Sequence, residues 1–549
     1  MNNISKYILL IILFASYSLQ AQLAPDTYWI QFTDKNETPY SLDSPEDYLS
    51  LKSIERRQIH NIAVDSLDLP INSWYLDSII NKGAEIVQRS KWMNGVAVYT
   101  TDNTVLSNIY NLDFVSESTS TSSQFSMNFA PYSQQANITE INEDVYDYGN
   151  AFNQIDLHSG QALHNNGYKG ENMLITIIDA GFQNLNNVSA FDSLFINNQI
   201  IGTWDFVSND TNVYDDHYHG KAVLSTIAAN LPGEFIGTAP KANFLLLRSE
   251  NANSEYKIEE INWIAAAEYA DSIGTDIITT SLGYNNFTSP STSYTWEDLD
   301  GQTAPISLAS DIAANKGIFI VTSAGNEGSS AWRKITSPAD AFNALTVGAC
   351  NNLGEYASFS SKGYTADGRI KPDIAAKGLS ATIITSSSPT TGNGTSFSTP
   401  IIAGLVACLW QVNSEKTNFE IKDLILQHSS QYTNPDSLLG YGIPNFEAAY
   451  NELSQDIKAV ESNKDQIINV YPTVFQNQLV VRLYSSLKTK VQIELFSIQG
   501  SMVFTQEYAV DSNQINRIQI KNLQALSKGT YFIRLISDKN ISVRKLIKQ

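Results

Sequence analysis

A chain of 549 residues, 42% hydrophobic and 17% charged, has room for about three to four domains, and its composition is that of a soluble globular protein. A formal net charge of −21 disfavours nucleic acid as a partner. With only two cysteines, Cys350 and Cys408, each inside an apolar run, the chain is no disulfide scaffold, and two buried free thiols are expected.

At the N-terminus Lys6 precedes an apolar run over 7–17, and Leu19-Gln20-Ala21-Gln22 offers a small-residue cleavage point. Residues 1–21 therefore read as a secretory signal peptide, the run being well short of the roughly 18 apolar residues that a span requires. No other stretch reads as a membrane span, so a secreted or cell-surface protein is expected. Residues 23–118 form a small α+β domain, with strands at 28–32 and 96–99 and helical stretches at 48–58 and 76–82. The Ser-, Gln- and Asn-rich segment that follows makes 119–149 a linker.

Over 150–453 apolar strands alternate with helical segments. Strands fall at 174–178, 244–247, 276–280 and 318–322, the last two preceded by helices at 258–272 and 307–315. This is the pattern of an α/β domain with a doubly wound, mainly parallel sheet. Such folds bind ligands beyond the carboxyl ends of their strands. Residues 454–466 are polar and poorly patterned, a second linker. Beyond them alternating strands at 479–483, 490–496, 502–508, 517–520, 531–535 and 542–546 read as a small β-sandwich over 467–549. Eleven Lys and Arg against four Asp and Glu in that region give it a net charge of +7, leaving −28 for the rest, a sign change that argues for a separate domain.

The chemistry-bearing residues stand at the strand ends. Asn393-Gly394-Thr395-Ser396-Phe397-Ser398-Thr399-Pro400 leads into a nearly all-apolar run over 401–411, so Ser396 sits where a buried helix begins. Unpaired N–H groups and the positive end of the helix dipole would face any oxygen that turns negative there. A serine hydroxyl is a poor nucleophile without a histidine to take its proton and an acid to orient that histidine. The strand 174–178 runs into Asp179-Ala180-Gly181, and His219-Gly220 opens a helix. The strand 318–322 ends in Ser323-Ala324-Gly325-Asn326, where a side-chain amide can donate to an oxyanion. His217 and His219 beside Asp215 and Asp216 hint at a metal, but no further His or Cys cluster supplies ligands, and no metal site is assigned.

On these four elements the chain, over roughly 150–450, resembles the subtilase family of serine endopeptidases, and Asp179, His219, Ser396 is the order of that family's triad. The resemblance implies Ser396 as nucleophile, His219 as general base then acid, Asp179 as orienting acid and Asn326 as oxyanion donor. It also implies that Ser281-Leu282-Gly283 and Ala324-Gly325 pair with an extended protein or peptide substrate and wall the pocket for the residue before the scissile bond. No cofactor is needed for such chemistry, and a structural calcium is possible but without a readable motif. Two departures stand out: the family usually has Ser or Thr after the Asp and Thr-His after His-Gly, whereas Ala180 and Lys221-Ala222 occupy those places here. They motivate a competing reading, a secreted binding or surface protein that keeps the fold without turnover.

The flanking domains carry resemblances of their own. Ser90-Lys91-Trp92-Met93-Asn94-Gly95-Val96, Tyr48-Leu49-Ser50 and Glu55-Arg56-Arg57 resemble the propeptides of Bacteroidota-type subtilases, which implies a zymogen whose cleft is occupied by its own propeptide; an ordinary accessory domain is the alternative. Val470-Tyr471-Pro472, Leu495-Phe496-Ser497-Ile498-Gln499-Gly500, Lys528-Gly529-Thr530-Tyr531 and the final Lys545-Leu546-Ile547-Lys548 resemble type IX secretion sorting domains, although Thr473-Val474 replaces the usual Asn-Pro. That implies the type IX machinery as a partner; the alternative is a module that binds polysaccharide or a cell surface.

Overall fold

The computed structural model describes residues 22–116, 145–289, 292–461 and, within 466–548, all but 472–473, 476, 486–487, 512–513 and 538–539. The expected leader and most of the first linker lie outside the described residues. Two compact units divide the chain, one of Met1–Ile54 with Ile62–Ala449 and one of Glu55–Asn61 with Tyr450–Gln549.

The first unit opens with an antiparallel sheet of β1 (Gln22–Ala24), β2 (Thr27–Gln31), β3 (Glu85–Ser90) and β4 (Gly95–Tyr99) in the order β1-β2-β4-β3. Ile30, Val96 and Val98 on its inner face are fully buried against Tyr75, Ile79 and Ile109 of the helices Ser73–Asn81 and Asn103–Tyr110. The strand β3 escapes the sequence reading because Glu85, Gln88 and Arg89 interrupt its apolar pattern; pairing with β4 makes it a strand.

Behind it lies a seven-stranded sheet, β5 (Leu174–Asp179), β6 (Ile200–Asp205), β7 (Asn243–Arg248), β8 (Ile277–Thr280), β9 (Phe319–Ser323), β10 (Leu345–Cys350) and β11 (Ile374–Lys377), ordered β11-β10-β9-β8-β5-β7-β6. Every adjacent pair is parallel. All six residues of β5 are buried, as a sheet covered on both faces requires. Because the strands are parallel, the carboxyl ends of β5, β7, β8 and β9 share one edge of the sheet, which brings Asp179, Ser249, Ser281 and Ala324 to neighbouring positions.

Four helices position the site: α1 (His219–Ala228), α2 (Ile258–Ile273), α3 (Pro305–Asn315) and α4 (Thr395–Val412). The expectation that no stretch beyond the leader could cross a bilayer needs correcting for α4, whose 18 residues have the length and composition; 94% of that stretch is buried inside the protein, as befits a core helix. It packs on α1 and on strands β8 to β11.

The small sheet docks on α2. One carboxylate oxygen of Glu268 accepts from Ser90 Oγ at 2.5 Å and Trp92 N–H at 2.9 Å, and the other from Lys91 N–H at 2.8 Å, while the Trp92 ring is buried with Ile261 and Ile264. Lys316, just past α3, pairs with Asp65 and Asp68. Among the later residues a helix runs Phe446–Glu461, so much of the linker expected over 454–466 is helical. The C-terminal sandwich has a three-stranded sheet (Gln466–Tyr471, Leu479–Ser485, Gln514–Ile520) and a five-stranded one (Val474–Phe475, Thr489–Ser497, Met502–Val510, Gly529–Ser537, Asn540–Lys548). Val481, Leu483, Ile493, Leu495 and Ile533 fill the core between them. Cys350 and Cys408 are both free and buried.

Candidate active site

The aspartate half of the site is set where β5 leaves the sheet. Asp179 is fully buried, and its Oδ1 accepts the Ala180 N–H at 2.8 Å and meets His219 Nδ1 at 2.8 Å. His219 reaches it because α1 starts against the β5 exit: Gly220 N–H donates to Gly181 O at 2.9 Å. A Cβ at Gly220 would stand 2.6 Å from that oxygen, so only glycine allows the approach. Burial by itself pushes the His219 imidazolium down, but the Asp179 charge and hydrogen bond outweigh it, and the imidazole is held above its ordinary 6.5.

The two sequence departures have structural consequences. Asp179 Oδ2 is buried and makes no hydrogen bond among the described residues, since Ala180 offers only its backbone N–H and no hydroxyl. The carboxylate hangs on two bonds to one oxygen. Two residues beyond the histidine, Lys221 is 3% exposed, and burial pulls its ammonium below the usual lysine range.

The serine half is braced differently. Ser396 lies in the first turn of α4, retaining 8% of its surface. Four residues on, Pro400 has no N–H to give the Ser396 carbonyl; that carbonyl instead accepts Ser281 Oγ at 2.9 Å. A helix-breaking residue thus ties the candidate nucleophile to the expected substrate wall. Beside it, Asn326 Oδ1 accepts both Thr395 N–H at 2.9 Å and Thr395 Oγ1 at 3.1 Å. This turns the Asn326 amide so that Nδ2 stays free of Thr395 to donate elsewhere. The His219 ring is 6.1 Å from the Phe397 ring, so α1 and α4 bring His219 and Ser396 into one neighbourhood. Ser396 Oγ itself has no hydrogen bond to His219 here, as is common before substrate binds.

Strands β8 and β9 are hydrogen-bonded neighbours, so the segments 281–283 and 324–326 leave the sheet side by side. Ser323 Oγ crosses to Leu282 O at 3.2 Å. Next to this wall Tyr284 OH donates to Glu250 Oε1 at 2.5 Å. Glu250, Glu255 and Glu259 each bring a carboxylate oxygen within 4.8 Å of the others, the one group among the described residues with metal-suited spacing. Burial first pushes them up to about 7, 8 and 9 respectively, with repulsion after it from Asp179 and Glu260 on Glu250, from Glu250 and Glu260 on Glu255, and from Glu250 and Glu255 on Glu259. Glu259 is engaged by Asn251 and Tyr256 N–H, bracing the loop after β7. His217, the other half of the histidine pair, accepts the His219 N–H through Nδ1.

The sequence reading missed Thr395 as the support of Asn326 and Ser281 as the support of Ser396. The presence of Pro400 four residues after Ser396 was the available signal for the second, because it guarantees an orphaned carbonyl.

Residues 170–442 match the Subtilase family, 27–139 the Peptidase S8 propeptide domain of Bacteroidota, and 469–549 the secretion system C-terminal sorting domain. Subtilisin E of Bacillus subtilis (strain 168) is 32% identical over 298 residues, covering 52% of this chain and 68% of its own length. Subtilisin of Bacillus pumilus is 32% identical over 298 residues, with 52% and 94% covered. Serine protease AprX of Bacillus subtilis (strain 168) is 30% identical over 324 residues, with 53% and 68% covered.

Proposed function

Given that this chain belongs to the subtilase family of serine-type endopeptidases, we propose that it hydrolyses peptide bonds through an acyl-enzyme on Ser396. In this reading Ser396 Oγ attacks the scissile carbonyl while His219 Nε2 takes the hydroxyl proton. The negative oxygen that forms is met by Asn326 Nδ2 and the Ser396 backbone N–H. As the C–N bond breaks, His219 gives its proton to the leaving amine; a water then repeats the sequence to free the serine. Asp179 keeps the imidazole in the tautomer with hydrogen on Nδ1. All these groups belong to the chain itself, so the chemistry calls on no cofactor.

The observation that carries this reading is the 2.8 Å contact between Asp179 Oδ1 and His219 Nδ1, made at the same sheet edge as the Asn326 to Thr395 brace. Labelling the mature protein with a fluorophosphonate tests it. Ser396 is expected to label, and Ser396→Ala to abolish labelling and lower kcat on the order of 10⁶-fold, the loss known for the subtilisin nucleophile. No labelling of the mature protein, or equal labelling of the variant, overturns the reading; the competing one is a protease fold kept for binding, which the unbonded Asp179 Oδ2 favours.

The sorting domain supports export to the exterior or cell surface. Within this proposal residues 1–21 are the signal peptide, the N-terminal domain is the chain's own inhibitory propeptide, and 467–549 addresses the type IX machinery. Unchanged export after deletion of 467–549 would exclude that last role.

A further inference from the structure

Between the helix of His219 and the helix of Ser396 a β-hairpin is wedged. Its strands, Ala381–Ile384 and Pro389–Gly392, pair antiparallel, and the second runs on through Asn393 and Gly394 into the Ser396 turn. Ala381 and Ile383 are buried in one cluster with Ala222 of α1 and with Phe397 of α4, the residue after Ser396. A Cβ at Gly392 would stand 2.5 Å from Ile383 Cδ1 and 2.7 Å from Phe397 Cε2, so this packing has no slack.

What holds the hairpin comes from outside it. Two strands alone make a marginal sheet, and their open edge is met by one side chain from far away in the sequence. Gln154, fully buried in the helix Phe152–Asp156, lies 228 residues before Thr382. Its Oε1 accepts the Thr382 N–H at 2.8 Å and its Nε2 donates to Thr382 O at 3.3 Å, so a single carboxamide pairs with that residue as a neighbouring strand would. Thr382 Oγ1 adds a bond to Asn150 O at 2.8 Å. On the α1 side the fully buried Ser225 accepts the Ile384 N–H through Oγ at 2.9 Å.

We infer that Gln154, with Ser225 on the α1 side, is a positioning residue: by clamping the 381–392 hairpin against α1 and α4 it sets the approach of Ser396 Oγ to His219. The inference rests on the proposed acyl-enzyme chemistry at Ser396. With no hydrogen bond yet joining Ser396 to His219, their separation is fixed by what packs between their helices, and a misplacement of about 1 Å costs on the order of 100-fold in rate. The expected substrate walls follow β8 and β9 and hang on other bonds. A loosened hairpin therefore slows the chemistry without weakening substrate binding.

Active-site titration of the mature enzyme with a fluorophosphonate, followed by kinetics on a fluorogenic peptide, tests this. Titration counts competent sites, so it separates slower chemistry from lost folded protein. Gln154→Met keeps the volume and removes both bonds to Thr382; kcat per titrated site is expected to fall ~10-fold, with KM held within about 2-fold. The acid limb of kcat/KM should stay where the wild type has it, because the Asp179 to His219 contact is untouched. Ser225→Ala releases the other side of the hairpin and should lower kcat per site about 5-fold. The double variant should lose less than the product of the two, since both act through one element. A kcat per site within about 2-fold of wild type in Gln154→Met, a KM that rises as much as kcat falls, or a displaced acid limb overturns the positioning role. Should Gln154→Met yield no folded protein, the same outcomes in Ser225→Ala overturn it. A wild type that neither cleaves nor labels instead overturns the Ser396 reading, and this inference falls with it.

Discussion

The two halves of the site are built to different standards. On the serine side Ser396 and Asn326 are each held by a neighbour outside their own motif or turn: Ser281 takes up the carbonyl that Pro400 leaves without a partner, and Thr395 supplies two donors to the Asn326 oxygen. On the aspartate side both bonds fall on Asp179 Oδ1, and Oδ2 is buried without a partner among the described residues. The geometry is thus over-determined around Ser396 and hangs on a single contact around His219. A carboxylate with an unbonded buried oxygen forfeits roughly 1 to 3 kcal/mol of hydrogen bonding, so the base is the more easily disturbed partner.

Short of removing the Ser396 hydroxyl itself, breaking the weaker half gives the largest effect. Asp179→Asn leaves the shape of the side chain but favours the wrong imidazole tautomer, and kcat is expected to fall on the order of 10⁴-fold. The same variant checks the pH dependence. His219 must be neutral to act as base, so activity is present above its pKa and lost as pH falls through it. Because Asp179 holds that pKa above 6.5, the acid limb of kcat/KM in the wild type should lie above 6.5, and Asp179→Asn should move it down. A wild-type limb below 6.5 would contradict the pairing. Stopped assays across the pH range on both proteins read this directly.

Removing the Asn326 amide from the stronger half costs less in rate. Asn326→Ala removes one oxyanion donor and should lower kcat about 10²- to 10³-fold with KM nearly unchanged, the range known for the corresponding loss in subtilisin. A KM effect of similar size would instead make Asn326 a ground-state binding residue. The smallest effect comes from repair: Ala180→Ser places a hydroxyl next to Asp179 Oδ2, and kcat should rise about 5-fold if one added hydrogen bond steadies the carboxylate. No gain, with Asp179 and His219 still bonded in the variant's crystal structure, would show that the unbonded oxygen does not limit the base.

Much of this site was legible from short motifs. Asp179, His219, Ser396 and Asn326 each sit within a few residues of a strand end or helix start, where an apolar run stops at a polar residue, and such punctuation is local. The parallel sheet was legible for the same reason, because strands buried on both faces are continuously apolar, as β5 is. Where the polar pattern misled, the cause was different in each case. β3 looks unlike a strand until β4 pairs with it. The polar residues after 454 read as a linker but continue the helix Phe446–Glu461, since Gln, Lys and Glu are good helix formers and polarity alone does not end a helix.

Which chemical groups this protein carries, in what order along the chain, and their standing at strand ends and helix starts are all written in the linear chain, because where a strand or helix begins and ends is encoded by nearby residues. How firmly each group is held is settled only when the chain has folded. The partner of the Ser396 carbonyl lies 115 residues away in Ser281, and the Thr336 hydroxyl lodged between Gly283 and Gly325 comes from a segment with no motif of its own. Those contacts depend on separate loops meeting in space, and no local pattern of residues records such a meeting.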